Sequence, residues 1–405
     1  MFGNTSRTGK KRSGALVLVA AGALVLTACG SSSGGDDAAG AKDPIVLFQT
    51  NSFSGQVSNK PQTKTAAEAA VREINASGGV NGRKLKLVTC DNTGDPNMTN
   101  ACVKKAKQVN AAAFVGSVNY FPATWKLLNQ AKIPYLLGNG LVPDEYKSPV
   151  SFPLAGQPGW YYGIASYLKE LGVKRVSQIH CEIAACAYGA NLLDEALVKQ
   201  GMPKTRAVIA PLATTDYSAF AVSAMQSNPD AIIVSGSEAT ATLQAKAVRQ
   251  QGFKGKIMSV SACITADAAK SMGAAGEDIY VVGLTTGPTI KTDQIQQFID
   301  DMNAVDPKAK KDDVALGAWA GVKLFAKVAE GLDTVDAASV LKALQTAKVG
   351  AYDIGVIAPV PGLAKSPVAD MPGLAFSPSV TYNQVQGGTI VQTKSGFLNP
   401  FTAAS

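Results

Sequence analysis

The sequence predicts an α/β fold made of two lobes, each a parallel sheet with helices on both faces. Three observations carry this reading. Short apolar runs alternate with amphipathic stretches from Pro44 onward, the pattern of strands joined by crossover helices. The alternation restarts after Gln157-Pro158-Gly159. The resulting strands are too many for one sheet of ordinary width, so they divide between two lobes.

Taken in order, residues 45–49 form a short apolar strand. Residues 60–77 read as a helix with Ala66, Ala70, Val71 and Ile74 on one side, stopped by Gly78-Gly79. Residues 84–89 alternate as a strand does, and Asp95-Pro96 opens the next helix with Pro in its first turn. Strand 113–116, helix 122–131 and strand 133–137 complete the first half. The second half runs helix 160–171, strand 175–179, helix 187–200, strand 206–210, helix 217–227, strand 231–234, helix 239–251, strand 256–260 and strand 279–284. After Gly287-Pro288 the rhythm changes to three helices with no strand between them, at 292–305, 314–331 and 337–347. The chain then becomes rich in Pro and Gly and ends in a hairpin, 380–385 and 389–393, around Gln386-Gly387-Gly388.

The N-terminal segment carries its own signal. Arg7, Lys10, Lys11 and Arg12 precede an apolar run from Gly14 to Ala28 that is short for a membrane span. Leu26-Thr27-Ala28-Cys29 resembles a bacterial lipobox, which implies a signal peptide over residues 1–28, cleavage, and lipidation of Cys29. The alternative is an ordinary secretory signal with a chance cysteine. Residues 29–43, rich in Gly, Ser, Asp and Ala, read as a flexible tether. The expectation is an exported protein, lipid-anchored on the outer face of the bacterial cell membrane. The net charge of +8 gives no case for nucleic acid, because half of it lies in the four signal cations and the rest is scattered.

Six cysteines are present beside one histidine, which in an exported chain favours disulfides over a metal site. Cys90 ends a strand and Cys102 lies in the following helix, so a bridge there staples the connection, worth about 3 kcal/mol in the chain-entropy model. Among Cys181, Cys186 and Cys263 one thiol is left over. Cys181–Cys186 is the local pairing and Cys186–Cys263 the longer one, and the sequence does not choose.

Catalytic constellations are missing. There is no Gly-x-Ser-x-Gly elbow, no phosphate-binding glycine loop and no metal-ligand spacing, and no cofactor is expected. His180 ends a strand beside Cys181 and reads as a rim or satisfied loop residue. Ser339 and Lys342 match Ser-x-x-Lys in mid-helix without supporting motifs.

The stretch AAVREINASGGVNGRKLKLVTCDNTGDP, residues 69–96, resembles the signature of the Leu/Ile/Val-binding family of type I periplasmic binding proteins. Further landmarks follow in order: Val115-Gly116-Ser117, Ile133-Pro134, Ala187-Tyr188-Gly189 and GAWAGVKLF from Gly317. The resemblance implies lobe I over 44–154 plus 287–350 and lobe II over 155–286 plus 351–405. Three crossovers would join them, near 153–157, 284–288 and 349–356. It implies a ligand between the lobes at the carboxyl ends of the strands, where open α/β sheets place their binding loops.

Carried over position by position, the family's ligand contacts fall near Asn59, Asn119, Tyr120, Asn139, Leu141, Tyr188, Ser237, Glu238 and Ser261. Leu141 stands where a threonine hydroxyl is expected. Ser261 stands where amino-acid binders place the acid that pairs with the ligand ammonium, and a buried ammonium without a partner is costly. Two ligand classes follow: an amino acid with Glu238 as substitute counter-ion, or an uncharged or anionic organic solute. Trp160, Tyr161 and Tyr162 either wall the site or pack their helix. The resemblance implies a monomeric solute-binding lipoprotein of an ATP-driven importer, with a permease and ATPase as partners. A sensory receptor of the same fold is the alternative, and an exported hydrolase ranks last.

Overall fold

The computed structural model describes residues 43–55, 59–211, 213–347, 351–358, 364–365, 374–375 and 378–401. The signal segment, Cys29 and nearly all of the tether fall outside the described residues, as does part of the third crossover.

The first sheet is wholly parallel. Its strands are β1 (Ile45–Asn51), β2 (Leu85–Asp91), β3 (Ala113–Val115), β4 (Tyr135–Leu136) and β5 (Ser151–Phe152), in spatial order β2-β1-β3-β4-β5. Alternation along β1 decides which residue faces which layer of helices. Leu47 joins one apolar cluster with Ala66 and Ala70 of α1 (Pro61–Ala76), while the adjacent Phe48 joins another with Phe114, Trp125 and Tyr135. Phe48 and Phe114 meet edge to face at 5.5 Å, and Trp125 and Tyr135 do so at 5.1 Å. Helices α2 (Pro96–Gln108) and α3 (Thr124–Ala131) cover that second face. Burying each such ring stabilises the lobe by about 1.5–3 kcal/mol. Asp95 caps α2 by accepting from Asn97 N and Met98 N, and Cys102 is bonded to Cys90.

The second sheet has order β14-β13-β10-β9-β8-β6-β7. Five strands are parallel: β6 (Val176–Cys181), β7 (Arg206–Ala210), β8 (Ala231–Val234), β9 (Lys256–Val260) and β10 (Ile279–Gly283). The hairpin β13 (Thr381–Gln386) and β14 (Thr389–Gln392) adds antiparallel to β10. Gly387 and Gly388 make its two-residue turn with φ of 57° and 72°, which favours glycine at both positions. Helices α5 (Gly156–Glu170), α6 (Ala184–Lys199), α7 (Ser218–Met225), α8 (Glu238–Gln250) and α9 (Ala266–Met272) belong to this layer.

After β10 the chain returns to the first sheet through α10 (Asp293–Asn303), α11 (Asp313–Ala329) and α12 (Ala337–Gln345). Asn81 Nδ2 donates to Ala329 O at 3.0 Å, and Lys323 pairs with Glu73 of α1. The chain then crosses back to enter β13. The second and third crossovers run side by side, joined by Thr286 N donating to Val356 O at 2.8 Å. Two sheets and three crossovers are the predicted architecture.

Differences from the sequence reading are local. Gln157-Pro158-Gly159, read as a break, lies in the first turn of α5, where Pro interrupts no intrahelical bond. The short helices α4 (Pro143–Lys147) and α9, and the two-residue pair β11 (Ala364–Lys365) with β12 (Leu374–Ala375), were not expected. Ser339 is not mid-helix: it closes a capping box with Asp336 at the start of α12. Cys181 is bonded to Cys186, and Cys263 is a buried free thiol.

Gly116 sets how closely α11 approaches β3. Its φ is +56°, and a Cβ there would lie 2.7 Å from Ala318 Cβ. Gly116→Ala is expected to cost about 1–3 kcal/mol in urea unfolding, and an unchanged midpoint would contradict this close docking.

Candidate functional site

Residues that follow the carboxyl ends of β4, β9 and β10 meet residues of the other layer, and polar residues concentrate at these strand ends. At the end of β1, Gln49, Thr50, Asn51 and Ser52 are all buried. Gln49 Nε2 donates to Thr63 O at 2.9 Å and Gly116 O at 3.0 Å, and Thr50 N donates to Ser117 Oγ at 2.9 Å. At the end of β2, Asp91 accepts from Phe53 N at 3.0 Å, Thr93 N at 2.8 Å and Ser54 Oγ at 2.5 Å. These bonds fix the loop mouths before any solute arrives.

The loop after β4 rests on a buried carboxyl. Glu145 Oε2 accepts from Leu141 N at 3.2 Å, while Glu145 Oε1 and the Tyr135 hydroxyl have no hydrogen-bond partner. The Tyr146 hydroxyl reaches Gly140 O at 3.2 Å and Ala155 O at 3.0 Å. Burial pushes the Glu145 carboxyl up to about 8, against the opposing pull of the Gly140 and Leu141 N–H groups.

Several contacts cross between the layers. Gln157 Nε2 donates to Leu141 O at 3.0 Å and to Ala185 O of α6 at 2.9 Å. Lys310, in the segment before α11, pairs with Glu238 at 3.0 Å and Asp267 at 3.5 Å on the second layer. Asp313 opens α11 and accepts from Ser261 Oγ and Thr285 Oγ1, which follow β9 and β10. Burial pushes the Asp313 carboxyl up, and its two hydroxyl donors hold it down. A cavity of about 70 Å³ adjoins this point, lined by Ser261, Thr285, Lys310, Asp313 and Asn383 among others.

The residues singled out from the sequence are placed as follows. Asn59 is exposed beside residues that are not described. Asn119 is buried and closes its own loop on Phe121, accepting from Phe121 N at 3.0 Å. Tyr120, Asn139 and Tyr188 are half-buried. Leu141 contributes backbone bonds to Glu145 and Gln157. Ser237 caps α8 and Glu238 is paired with Lys310. Ser261 meets Asp313, but of the predicted set it alone lines the cavity. Trp160, Tyr161 and Tyr162 are buried in the core, with Tyr162 bonded to Glu195 at 2.7 Å.

Sequence reasoning missed Glu145, Gln157, Thr285, Lys310 and Asp313. The available signal was the Lys-Lys-Asp-Asp run ahead of the aromatic helix, which also reads as an ordinary helix cap; Asp312 does cap α11. His180 is buried inside β6, with Nδ1 at 2.8 Å from Cys181 O. Burial pushes the Cys263 thiol up, away from the thiolate a nucleophile needs. Among the described residues no cluster of three or more His, Cys, Asp or Glu is arranged to hold a metal, and no helix is long and apolar enough to cross a membrane.

The sequence model described as periplasmic binding protein matches residues 49–362. The chain belongs to the periplasmic binding protein family. An "Amino acid binding protein" of Pseudomonas aeruginosa is 26% identical over 229 residues, 54% of this chain and 59% of that protein, which is under two thirds of the relative's length. The "Leu/Ile/Val-binding protein homolog 1" of Brucella abortus is 24% identical over 303 residues, 70% of this chain and 77% of that one. A fatty acid ABC transporter substrate-binding protein from Thermomonospora curvata superposes with a TM-score of 0.77 at 14% identity, covering 88% of this chain and 92% of that chain. This last likeness concerns the fold alone.

Glu145 generates a pH prediction. Its folded pKa is raised, so the folded state keeps a proton that the unfolded chain releases near 4.5, and stability falls as pH rises from there to about 8. Glu145→Gln should flatten this part of the melting-temperature profile; an identical slope in the variant would refute the assignment.

Proposed function

We propose that this protein is the extracytoplasmic solute-binding lipoprotein of an ABC importer. It takes one small organic solute between a lobe over residues 44–154 plus 287–350 and a lobe over 155–286 plus 351–405. The loaded form is then presented to a permease driven by an ATPase. The observation that carries this reading is the pair of largely parallel sheets whose strand-end loops are tied by side chains that bridge the layers: Gln157, Lys310 and Asp313. Open α/β sheets bind ligands at such strand ends, and hinge closure about crossovers is the motion periplasmic binding proteins exemplify.

The amino-acid relatives favour an amino acid or a related amide or organic acid as solute. The predicted residues Asn59, Asn119, Tyr120, Asn139, Leu141, Tyr188, Ser237, Glu238 and Ser261 remain the proposed cleft lining, with backbone N–H groups as well as side chains as donors. Micromolar affinity needs about 8 kcal/mol net, within reach of several hydrogen bonds and some apolar burial.

A thermal-shift panel of amino acids, amides and small organic acids should contain members that raise the melting temperature at micromolar to millimolar concentration. A panel with no effect, or a solute consumed on incubation, would overturn the reading. The lipid anchor has its own test: Cys29→Ser should move the protein from the membrane fraction to the soluble one, and retention at the membrane would refute lipidation there.

A further inference from the structure

We infer that Glu145 is a positioning residue for solute binding: its buried carboxyl holds the Gly138–Leu141 wall of the cleft in shape and, through Gln157, ties that wall to the other layer. This rests on the solute-binding reading above and adds a proton dependence to the same site. Asn139 and Leu141 belong to the proposed lining, and the backbone around them is held at successive points. Gly138 O accepts from Leu154 N at 3.0 Å, and Gly140 O accepts from Gln157 N at 3.2 Å and from the Tyr146 hydroxyl at 3.2 Å. Leu141 N donates to Glu145 Oε2 at 3.2 Å, and Leu141 O accepts from Gln157 Nε2 at 3.0 Å. The same Nε2 donates to Ala185 O in the first turn of α6, the helix that carries Tyr188. A carboxyl, a loop and an amide thus form one line of contacts from α4 to the second layer.

The close fit beneath the loop is what makes the charge state matter. Glu145 is 1% exposed. A Cβ at Gly138 would collide with Glu145 Oε1 and come within 2.8 Å of Tyr135 Cε1, so the carboxyl lies against the loop backbone only because position 138 has no side chain. Oε1 and the Tyr135 hydroxyl have no hydrogen-bond partner, and among the described residues no ion pair involves Glu145. The titratable groups around it are tyrosines: Tyr135 from β4 and Tyr146 on α4 itself, with Tyr120 beyond the first and Tyr188 beyond the second. Burial pushes the Tyr135 and Tyr146 hydroxyls up, so both stay neutral. Asp144 and Lys147 of α4 are exposed, and β5 and β12, which pack on α4, carry no titratable residue. An uncharged carboxyl suits this setting, whereas a carboxylate has two backbone N–H groups and no counter-charge. Ionisation therefore favours a loop opened to water, which releases Leu141 and with it the Gln157 contact. Burial raises the Glu145 carboxyl to about 8, so the loop-holding form prevails below that pH and is lost as pH rises through it.

The test is calorimetric titration of the full-length protein with L-leucine, L-valine, L-glutamine, 4-methylpentanoate and benzoate as probes. A probe that binds at about pH 7 should bind about 10-fold more weakly at about pH 9. Glu145→Ala, which removes the acceptor for Leu141 N, should weaken binding by about 10-fold at the lower pH. Glu145→Gln, which keeps an acceptor and cannot ionise, should recover most of that loss and escape the alkaline decline. A probe's own ionisation is common to both proteins, so the difference between their pH profiles reports Glu145. Amide exchange gives a readout without solute, because the opened loop lets Glu145 ionise in water. Protection of Leu141 N–H, corrected for its intrinsic rate, should fall by about 10-fold or more from about pH 6 to about pH 8, and stay level in Glu145→Gln. Equal alkaline decline in wild type and Glu145→Gln, or undiminished binding by Glu145→Ala, would overturn the positioning role while leaving solute binding intact. Leu141 protection indifferent to pH would do the same. No binding by any probe overturns it as well, and if the wider panel of amides and acids is equally silent the solute-binding reading falls with it.

Discussion

A carboxylate on one sheet layer held by hydroxyls from the other is the contact on which the arrangement turns. Asp313 opens α11, whose own body is fixed to the first sheet by the approach of Ala318 to Gly116 and by the pairing of Lys323 with Glu73. Ser261 and Thr285 follow β9 and β10 of the second sheet. The helix start is therefore a fixed point from which the first layer grips the strand ends of the second. Lys310, three residues earlier, extends the same grip to α8 and α9. On another side of the gap Gln157 does the equivalent work with an uncharged amide, reaching Leu141 and Ala185. None of these contacts is apolar. Contacts of this kind exchange readily with water, whereas a dry interface of the same extent would weld the layers together.

Polarity at the strand ends has a cost that the fold meets in two ways. Where donors are at hand, as around Gln49, Asn51 and Asp91, the buried groups are bonded locally and the loops are preset. Where they are not, protonation is the remedy. The Glu145 carboxyl beneath the Gly138–Leu141 loop keeps its proton up to about 8, because ionising it there would leave a charge with two backbone N–H groups as its support. The same desolvation acts on Asp313, whose carboxyl borders a cavity and is met by the Ser261 and Thr285 hydroxyls.

Much of the fold is legible in the sequence because parallel α/β layers write themselves as period-two and period-3.6 patterns. The helices at 60–77 and 314–331 and the hairpin about Gly387-Gly388 are examples in which one local rule, a glycine stop or an apolar face, sets the element. Short pieces escape: α4 has five residues, too few for a periodic signal, and β5 has two. Gln157-Pro158-Gly159 misleads because proline in a first helical turn and proline in a loop look alike in sequence. The site is less legible than the fold. Asp313 lies 52 residues from Ser261, so only the path of the chain reveals that the two meet. Glu238 was the nearer candidate in sequence, but its charge is answered by Lys310, a pairing 72 residues long. Separations of that size are invisible to motif spacing.

The central claim is that two sheet layers, joined by three strands of chain, close on a solute and release it unaltered. Small-angle X-ray scattering of the purified protein, with and without the amino acid that most raises its melting temperature, tests it directly. The account predicts a smaller radius of gyration with solute, restored after dialysis, and the same molecule recovered from the dialysate. A scattering profile indifferent to every stabilising solute, or a recovered molecule with altered bonds, would contradict it.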